Sequence, residues 1–467
     1  MIDQPLLEKA DQAVRDLHGL IVLGLINTEA EFLSVFHYPP PGKFIQMGEE
    51  EFFKGYVRPK DTPITVHAHI PFYDTERSCY QVPHILKASE AEKDIYLEHL
   101  AKEMDIYMAR LGESRLKAHS LMLGGGKPTC LTTAQLERFL NSLASRIDLG
   151  SLSQFICDID PASVLGDAGF ERLKLLKSFG VGRVSLELQT FAGDTPSQMT
   201  RRHDRADIAK AIERVKALGF ILEIELTYGD PGETEEQWAE EVRRALLFDA
   251  DEIMIYRMKA RRPDKKEDFL PQNEGQWRRK AIAFKLLEDA GYNETIERSF
   301  SKRPDYYSRY RDDGMGLQYE NLSFGHWALT RLRDRASQNY RGSDLKEYYR
   351  PIQEGKLPIR FGWIETRDQH LRKNIAMPVK NRELSKEQFR KITGVAADGI
   401  FGEKISRLKE YGLLEESGDI LRATKKGRFF NDDVTQFFFH PDLIPFPRER
   451  YKSGPLNPYI KNDTLDC

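Results

Sequence analysis

The sequence lacks several features that would mark out a class of protein. It has four cysteines in 467 residues, too few for a disulfide scaffold. Its net charge is −3, so no excess of one sign indicates nucleic acid or a membrane surface as partner. The longest apolar run, LIVLGLI, is far shorter than the roughly 20 residues of a membrane-spanning helix. We therefore expect a cytoplasmic protein without a cleaved leader and without nucleic-acid or membrane partners.

Strand and helix patterns alternate through the first half of the chain. The apolar, β-branched runs that predict strands lie at 64–70, 119–125, 155–160, 183–190, 221–229 and 252–258. Two of the intervening helices begin with a capping box, Thr132 with Gln135 and Thr234 with Gln237. Six such units predict parallel strands joined by right-handed crossovers, in a doubly wound sheet or a full or partial barrel. Functional loops then lie at the carboxyl ends of the strands.

The flanking regions divide the chain into four predicted parts. Residues 1–60 form a helical extension, 61–260 the alternating region, 261–379 a mixed region, and 380–467 a small terminal unit. In the terminal unit two short helices precede a hairpin that turns at Gly418 and Asp419. This order predicts a winged helix. Because no basic recognition helix is present, we interpret it as a packing module rather than a DNA reader.

Five motifs occur in order along the alternating region. They are HIPF (69–72), LGGGKPT (123–129), DIDP (158–161), RVSLELQTF (183–191) and IELTYGDPGET (224–234). Together they resemble the radical S-adenosylmethionine (SAM) superfamily. Within it they are most similar to the oxygen-independent coproporphyrinogen III oxidase branch and its haem-chaperone relatives. The resemblance covers residues 64–375 and implies an α/β fold, a partial (β/α)6 barrel.

The resemblance also implies a set of SAM-binding residues. Three glycines after a strand let the backbone approach a ligand closely and offer free N–H groups. A carboxylate at a strand end can accept two ribose hydroxyls. The residues at the matching positions are Gly124, Gly125, Gly126, Asp158, Gln189, Arg201 and Glu225.

The chain departs from the family at the loop that follows HIPF. The family holds an iron–sulfur cluster on three cysteines, and the matching positions here are Tyr73, Arg77 and Tyr80. A nearby cysteine, Cys79, is out of register. Such a cluster needs soft thiolate ligands, which tyrosine and arginine do not supply. From these residues we expect no 4Fe–4S cluster and no other metal site.

The replacements predict a different use of the pocket. Arg77 and Lys127 would grip the methionine carboxylate of SAM. Tyr73 and Tyr80 would lie near the sulfonium, as candidate catalytic residues. Glu187 stands where the family has glycine and is either a general base or a structural ion-pair partner of Arg77 or Lys127.

Three functions are consistent with these residues. The first is an enzyme that uses SAM without radicals, as a transferase or lyase that transfers a methyl or alkyl group to a small molecule or cyclises SAM. The second is a non-catalytic protein that binds a tetrapyrrole such as haem, or a partner, with His326, Tyr340 or the stretch PDYYSRYR (304–311) as haem ligands. The third is an inactive relative. We expect the first function, with the oligomeric state left open.

Overall fold

The structure is a computed structural model that describes residues 2–29, 36–59, 64–73, 85–191, 205–230, 232–258, 273–315, 319–462 and 465. The N-terminal part contains α1 (Gln4–Val22), β1 (Ile45–Gln46) and α2 (Glu49–Phe53). Helix α1 begins where the Asp3 carboxylate accepts the Leu6 N–H at 3.2 Å, with a proline in its first turn. The described part contains no helix that is long and apolar enough to cross a membrane.

Six long parallel strands form the centre of the molecule. The strands of this region are β2 (Ile64–Ile70), β3 (Phe72–Tyr73), β4 (Ile85–Leu86), β5 (Ala118–Gly125), β6 (Gln154–Ile159), β7 (Arg183–Gln189), β8 (Ile221–Tyr228) and β9 (Glu252–Arg257). Strands β2, β5, β6, β7, β8 and β9 lie side by side in that order, and every neighbouring pair is parallel. The six predicted strands and the α/β fold are therefore confirmed. The short strands β3 and β4 pair separately.

The helices between these strands begin and end where the sequence indicates. They are α3 (Glu90–Leu111), α4 (Thr133–Arg146), α5 (Gly166–Ser178), α6 (Arg205–Ala217) and α7 (Glu235–Leu247). Both predicted capping boxes are present, at Thr132 and at Thr234. Gly112 ends α3 with a φ of 69°, a conformation that favours glycine.

Residues 273–364 extend the sheet at both edges. Their elements are α8 (Asn273–Asp289), β10 (Asn293–Ile296), β11 (Ser299–Ser301), α9 (Arg309–Met315), β12 (Glu320–Phe324), β13 (Leu329–Leu332), β14 (Arg335–Asn339), α10 (Leu345–Gln353) and β15 (Ile359–Ile364). Strand β12 pairs in parallel with β2, and β11 pairs antiparallel with β9. Among the described residues the sheet has 13 strands. The sequence did not predict β10–β15: the first five of these strands are short and carry many polar residues, whereas β15 is apolar but lies outside the alternating region.

Helix α9 closes one end of the partial barrel. The Arg309 N–H donates to the Gln154 side chain at 2.8 Å, and Gln154 is the first residue of β6. The Tyr310 ring lies 5.8 Å from the His67 ring inside the barrel. Because α9 blocks the amino ends of the strands, the open mouth lies at their carboxyl ends, where functional loops of such folds are found.

The C-terminal part follows the order expected of a winged helix. It consists of α11 (Arg367–Asn381), β16 (Glu383–Ser385), α12 (Lys386–Thr393), α13 (Ala397–Glu410), β17 (Leu414–Ser417), β18 (Ile420–Ala423), α14 (Lys425–Phe429) and α15 (Asn431–Gln436). The hairpin between β17 and β18 turns at Gly418, whose φ is 59°. The domain boundaries and the packing role of this unit stay predictions.

Candidate ligand site at the barrel mouth

The glycine turn after β5 is held by close packing on two neighbouring strands. A Cβ on Gly124 would overlap the Asp158 carboxylate, and one on Gly125 would overlap the His69 ring. Gly125 also has a φ of 86°. A Cβ on Gly126 would overlap the backbone of Ile70. These contacts give all three glycines a packing reason, and their role in SAM binding stays a prediction.

Asp158 lies near the carboxyl end of β6, directly against this turn. Its Oδ2 accepts the Gly125 N–H at 3.3 Å. Its Oδ1 is buried and has no hydrogen-bond partner among the described residues. Burial raises the pKa of the Asp158 carboxyl to about 7, against the opposing effect of Lys127. A buried acceptor without a donor is costly, so this oxygen is available to a ligand.

Lys127 and Glu187 form an ion pair beside Asp158. The Lys127 Nζ lies 3.0 Å from the Glu187 Oε2, with the lysine side chain fully buried and the glutamate 13% exposed. The Lys127 N–H donates to the Phe72 carbonyl at 2.9 Å, which fixes the lysine above β3. The ion pair with Lys127 that the sequence left open is thus present. The role of Glu187 as a general base stays a prediction.

Glu225 completes the group of acids at the mouth. It is the partner of Glu187 in the pairing of β7 with β8, and it is partly exposed. The Ser185 hydroxyl donates to its Oε1 at 2.8 Å. Burial, reinforced by Glu187, Glu223 and Asp158, raises the pKa of the Glu225 carboxyl well above its usual value.

The remaining predicted site residues fall in three groups. Tyr73 is buried, and its hydroxyl donates to the Gly125 carbonyl at 3.2 Å, so it adjoins the glycine turn. Gln189 is the last residue of β7. Three predicted residues lie outside the described residues, namely Arg77, Tyr80 and Arg201.

A second charged group, which the sequence reading missed, lies deeper in the barrel. The Arg183 Nη2 lies 2.6 Å from the Glu223 Oε2 and also contacts Glu252. Arg311 from α9 pairs with Glu223. Although burial opposes ionisation, Arg311 and Arg183 lower the pKa of the Glu223 carboxyl to about 2. The signal was available, because these charges interrupt strand patterns that are otherwise apolar.

The predicted haem ligands are largely engaged in protein contacts. His326 is buried, its Nε2 lies 2.6 Å from the Gly342 carbonyl oxygen, and burial lowers its pKa to about 4. In the PDYYSRYR stretch, the Tyr307 hydroxyl accepts from Arg382 at 2.6 Å, and Tyr310 accepts from Asn321 at 3.1 Å. Tyr340 instead lines a cavity of about 220 Å³.

Comparisons with known proteins identify two regions of the chain. Residues 79–245 match the radical SAM superfamily, and residues 366–430 match the HemN C-terminal domain. The haem chaperone HemW of Bacillus subtilis (strain 168) is 26% identical over 381 residues, which are 79% of this chain and 97% of HemW. The oxygen-independent coproporphyrinogen III oxidase of Escherichia coli (strain K12) is 24% identical over 427 residues, covering 86% of this chain and 91% of the oxidase.

A solved structure supports the fold. The chain resembles coproporphyrinogen III oxidase (HemN) from Escherichia coli, described as a radical SAM enzyme, with a TM-score of 0.72 and 22% sequence identity. The match covers 86% of this chain and 96% of HemN. The partial barrel of the radical SAM type is therefore confirmed.

The same comparisons correct our expected function. We expected polar SAM chemistry without a cluster, as a transferase or lyase. The relatives are coproporphyrinogen oxidases and haem chaperones, and the comparisons give no support to a polar transferase or lyase. That expectation is wrong. The comparisons support the resemblance to a radical SAM enzyme and not the predicted class of reaction.

The expected set of cofactors is corrected as well. Radical SAM relatives such as HemN use a 4Fe–4S cluster together with SAM, which contradicts the expectation of SAM alone. At the three positions that the resemblance gives to cluster ligands, the chain has Tyr73, Arg77 and Tyr80. The Tyr73 phenol is hydrogen-bonded to the glycine turn, and the donors at these positions do not match three thiolates. The described residues contain no group of three His, Cys, Asp or Glu side chains that could hold a metal ion.

The two domain matches, the relatives and the fold agree with the motifs from HIPF to IELTYGDPGET. The chain is therefore related, over most of its length, to the HemN and HemW branch of the radical SAM superfamily.

Proposed function

We propose that the chain binds SAM at the barrel mouth and binds a tetrapyrrole, in the manner of a haem chaperone. The observation that carries the SAM part is the Asp158 Oδ1, buried and without a partner among the described residues, beside the glycine turn. A ligand with hydroxyl or ammonium donors satisfies that oxygen. SAM carries both kinds of donor.

The described residues suit the parts of such a ligand. Asp158 accepts donors from the ligand, and the partly exposed Glu225 offers a second acceptor at the next strand but one. The Lys127 and Glu187 pair borders the same space. SAM, when bound there, would supply its adenosyl and methionyl groups to the chemistry of this family. The residues Arg77, Gln189 and Arg201 remain proposed contacts.

The tetrapyrrole part of the proposal rests on the relatives. HemW is named a haem chaperone and HemN a coproporphyrinogen III oxidase, so both handle tetrapyrroles. The chain spans nearly the whole length of each. Among the proposed haem ligands, Tyr340 lines a cavity, which Arg350, Arg360, Glu347 and Glu354 line as well. Arg350 pairs with Glu347 at 2.8 Å, so Arg360 is the arginine that we propose as a partner for a propionate of a tetrapyrrole.

Equilibrium dialysis with labelled SAM tests the first part. Wild-type protein is expected to bind SAM, and Asp158→Asn to weaken binding by about tenfold, the usual effect of losing a hydrogen bond to a charged group. Glu171→Gln is the matched control, because Glu171 is an exposed acid on α5 whose ion pair with Lys174 is also exposed. Absence of SAM binding by the wild type would contradict the proposal.

The second candidate function is coproporphyrinogen oxidation, favoured by the fold shared with HemN. Haem titration followed by absorbance, and anaerobic incubation with SAM, a one-electron reductant, an electron acceptor and coproporphyrinogen III, separate the two. A chaperone gives a Soret band that Tyr340→Phe alters, and no turnover. Turnover of coproporphyrinogen III would establish the oxidase instead.

A further inference from the structure

Glu103 is an acid on helix α3 on which three other elements converge. Its side chain is fully buried. The Tyr348 hydroxyl of α10 donates to its Oε2 at 2.6 Å, and the Gly325 N–H, directly after β12, donates to the same oxygen at 2.8 Å. The Asn339 amide of β14 donates to its Oε1 at 2.6 Å. Glu103 therefore ties α3 to a helix, a strand and the turn after β12.

The three hydrogen bonds suit a carboxylate. Each partner of Glu103 donates, and an ionised carboxyl group only accepts. Burial opposes ionisation and raises the pKa of Glu103 to about 7, against the effect of the three hydrogen bonds. The Asn339 amide that bonds to Glu103 also donates to the Gly325 carbonyl at 2.8 Å. The Gly325 backbone is thus held at both its N–H and its carbonyl.

Tyr96, two turns before Glu103 on α3, holds the same turn from a second point. Its hydroxyl accepts the His326 N–H at 3.0 Å and donates to the His69 carbonyl at 2.7 Å. A Cβ on Gly325 would lie 2.5 Å from this hydroxyl oxygen and 2.8 Å from the His69 carbonyl oxygen, and the φ of Gly325 is 110°. The space between Tyr96 and His69 therefore requires glycine.

His69 connects this turn to the glycine turn at the barrel mouth. It lies one residue before the end of β2, and its Nδ1 donates to the His326 carbonyl. At the opposite edge of the ring, a Cβ on Gly125 would overlap Cδ2 and Nε2. Gly125 in turn donates its N–H to the Asp158 Oδ2 at 3.3 Å. The contacts that begin at α3 therefore end at the carboxyl group that carries the proposed SAM site.

We propose that Glu103 and Tyr96 are positioning residues of the proposed SAM site, which act on the glycine turn through His69. This role rests on the SAM site proposed above and adds two residues that lie in none of the five motifs. Both residues act through the His69 ring and not by contact with the ligand. Their loss is expected to displace Gly125 and to weaken SAM binding, although both lie on a helix outside the strands.

Two variants remove these contacts. Glu103→Gln keeps the shape of the side chain but places an amide donor among three donors. Tyr96→Phe removes one hydroxyl and keeps the ring that stacks on Tyr348 at 5.7 Å. If Glu103→Gln fails to fold, Tyr96→Phe decides the outcome alone, because it changes a single atom of the side chain.

Each variant has a matched control in the chain. Glu320→Gln replaces another buried acid, at the opposite end of β12, which accepts from the Tyr56 hydroxyl at 2.7 Å. Tyr107→Phe removes a hydroxyl from the same helix as Tyr96. Tyr107 is equally buried, and its hydroxyl donates to the Thr330 side chain on β13 at 3.4 Å. Both controls leave the contacts of the His69 ring in place.

The backbone amide resonance of Gly125 reports on the turn without any ligand. It is recorded by two-dimensional NMR of protein labelled with ¹⁵N-glycine, and is identified by its absence from the spectrum of Gly125→Ala. We expect Glu103→Gln and Tyr96→Phe to shift this resonance and both controls to leave it in place. No shift in the first two variants, or equal shifts in all four, would overturn the positioning role.

Equilibrium dialysis with labelled SAM gives the second readout. We expect Glu103→Gln and Tyr96→Phe each to weaken SAM binding by about three- to tenfold, the usual effect of losing one or two hydrogen bonds, and both controls to bind like the wild type. Wild-type affinity in Glu103→Gln and Tyr96→Phe would overturn the positioning role and leave the SAM site intact. Absence of SAM binding by the wild type would instead overturn the SAM site itself.

Discussion

Buried acids have opposite pKa shifts at the two ends of the barrel. We call the amino ends of the strands, where Arg183, Glu223, Glu252 and Arg311 lie, the base, and the carboxyl ends the mouth. Glu223 and Glu225 lie two residues apart on β8, so their side chains share a face. Two arginines lower the pKa of Glu223 to about 2, whereas burial and neighbouring acids raise the pKa of Glu225 well above its usual value. The same strand therefore carries an ion-paired carboxylate at Glu223 and, two residues on, a carboxyl group at Glu225 whose ionisation its surroundings oppose.

The difference between the two pKa shifts follows from the groups that lie at each end of the barrel. Helix α9 fills the amino end of the barrel and brings Arg311 to Glu223. At the carboxyl end, Lys127 pairs with Glu187, and in the part of the chain that the structure describes the Asp158 Oδ1 has no hydrogen-bond partner. Removing one partner of a buried ion pair is strongly destabilising, whereas an ionisable group with a perturbed pKa in a concave site is a candidate for binding. The base is therefore expected to govern stability and the mouth to govern ligand binding.

The largest effect is expected at the base. Arg183→Met leaves Glu223 and Glu252 buried with one cation fewer, and should lower the free energy of unfolding by about 3–5 kcal/mol. Denaturant unfolding measures it. Arg303→Met is the control. Arg303 pairs with Asp305 at the surface, so this substitution should change the free energy of unfolding by close to zero. A loss for Arg183→Met as small as that control would contradict the structural role of the base.

A smaller loss is expected at the glycine turn that borders the mouth. Gly125→Ala forces a positive φ on alanine and brings its Cβ into the His69 ring, and should cost about 1–3 kcal/mol. Gly180→Ala is a matched control with a φ of 91° and open space around the added Cβ. Thermal unfolding should show a larger loss for Gly125→Ala. Equal losses would mean that the close packing of the turn contributes nothing.

The smallest effect is a dependence of stability on pH that originates at the mouth. The folded pKa of Asp158 is raised to about 7, so its contribution to stability is present near pH 4 and lost as the pH rises through 7. Asp158→Asn cannot ionise, so its stability should not fall over this pH range. The free energy of unfolding of the variant minus that of the wild type, measured with urea, should be more positive at pH 8 than at pH 5. A difference between the two proteins that does not change with pH would place Asp158 in a solvated environment.

The sequence predicted the barrel better than the charges inside it. The six strands and both capping boxes follow from local periodicity and end signals, which the sequence carries directly. Strands β10–β14 were missed because they are short and polar, and β15 because it lies outside the alternating region and depends on pairing with β1 and β14. Arg183, Glu223 and Glu252 each stand out in an apolar strand pattern, but no local pattern shows that they pair with one another and with Arg311 from α9.

The site shows the same division. Lys127, Asp158, Glu187 and Glu225 were predicted from motif positions, and the structure brings them together at one end of the barrel. What the motifs did not reveal is that Lys127 pairs with Glu187 rather than with Asp158. The expected function and cofactors were wrong because they were inferred from three residues of one loop, whereas the comparisons draw on most of the chain.

A crystal structure of the protein grown with SAM tests the central claim most directly, since the claim is that the barrel mouth holds the ligand. The account predicts SAM at the carboxyl ends of β5, β6 and β8, with a donor of the ligand within hydrogen-bond distance of the Asp158 Oδ1. SAM bound elsewhere on the chain, with the Asp158 Oδ1 still without a partner, would contradict it.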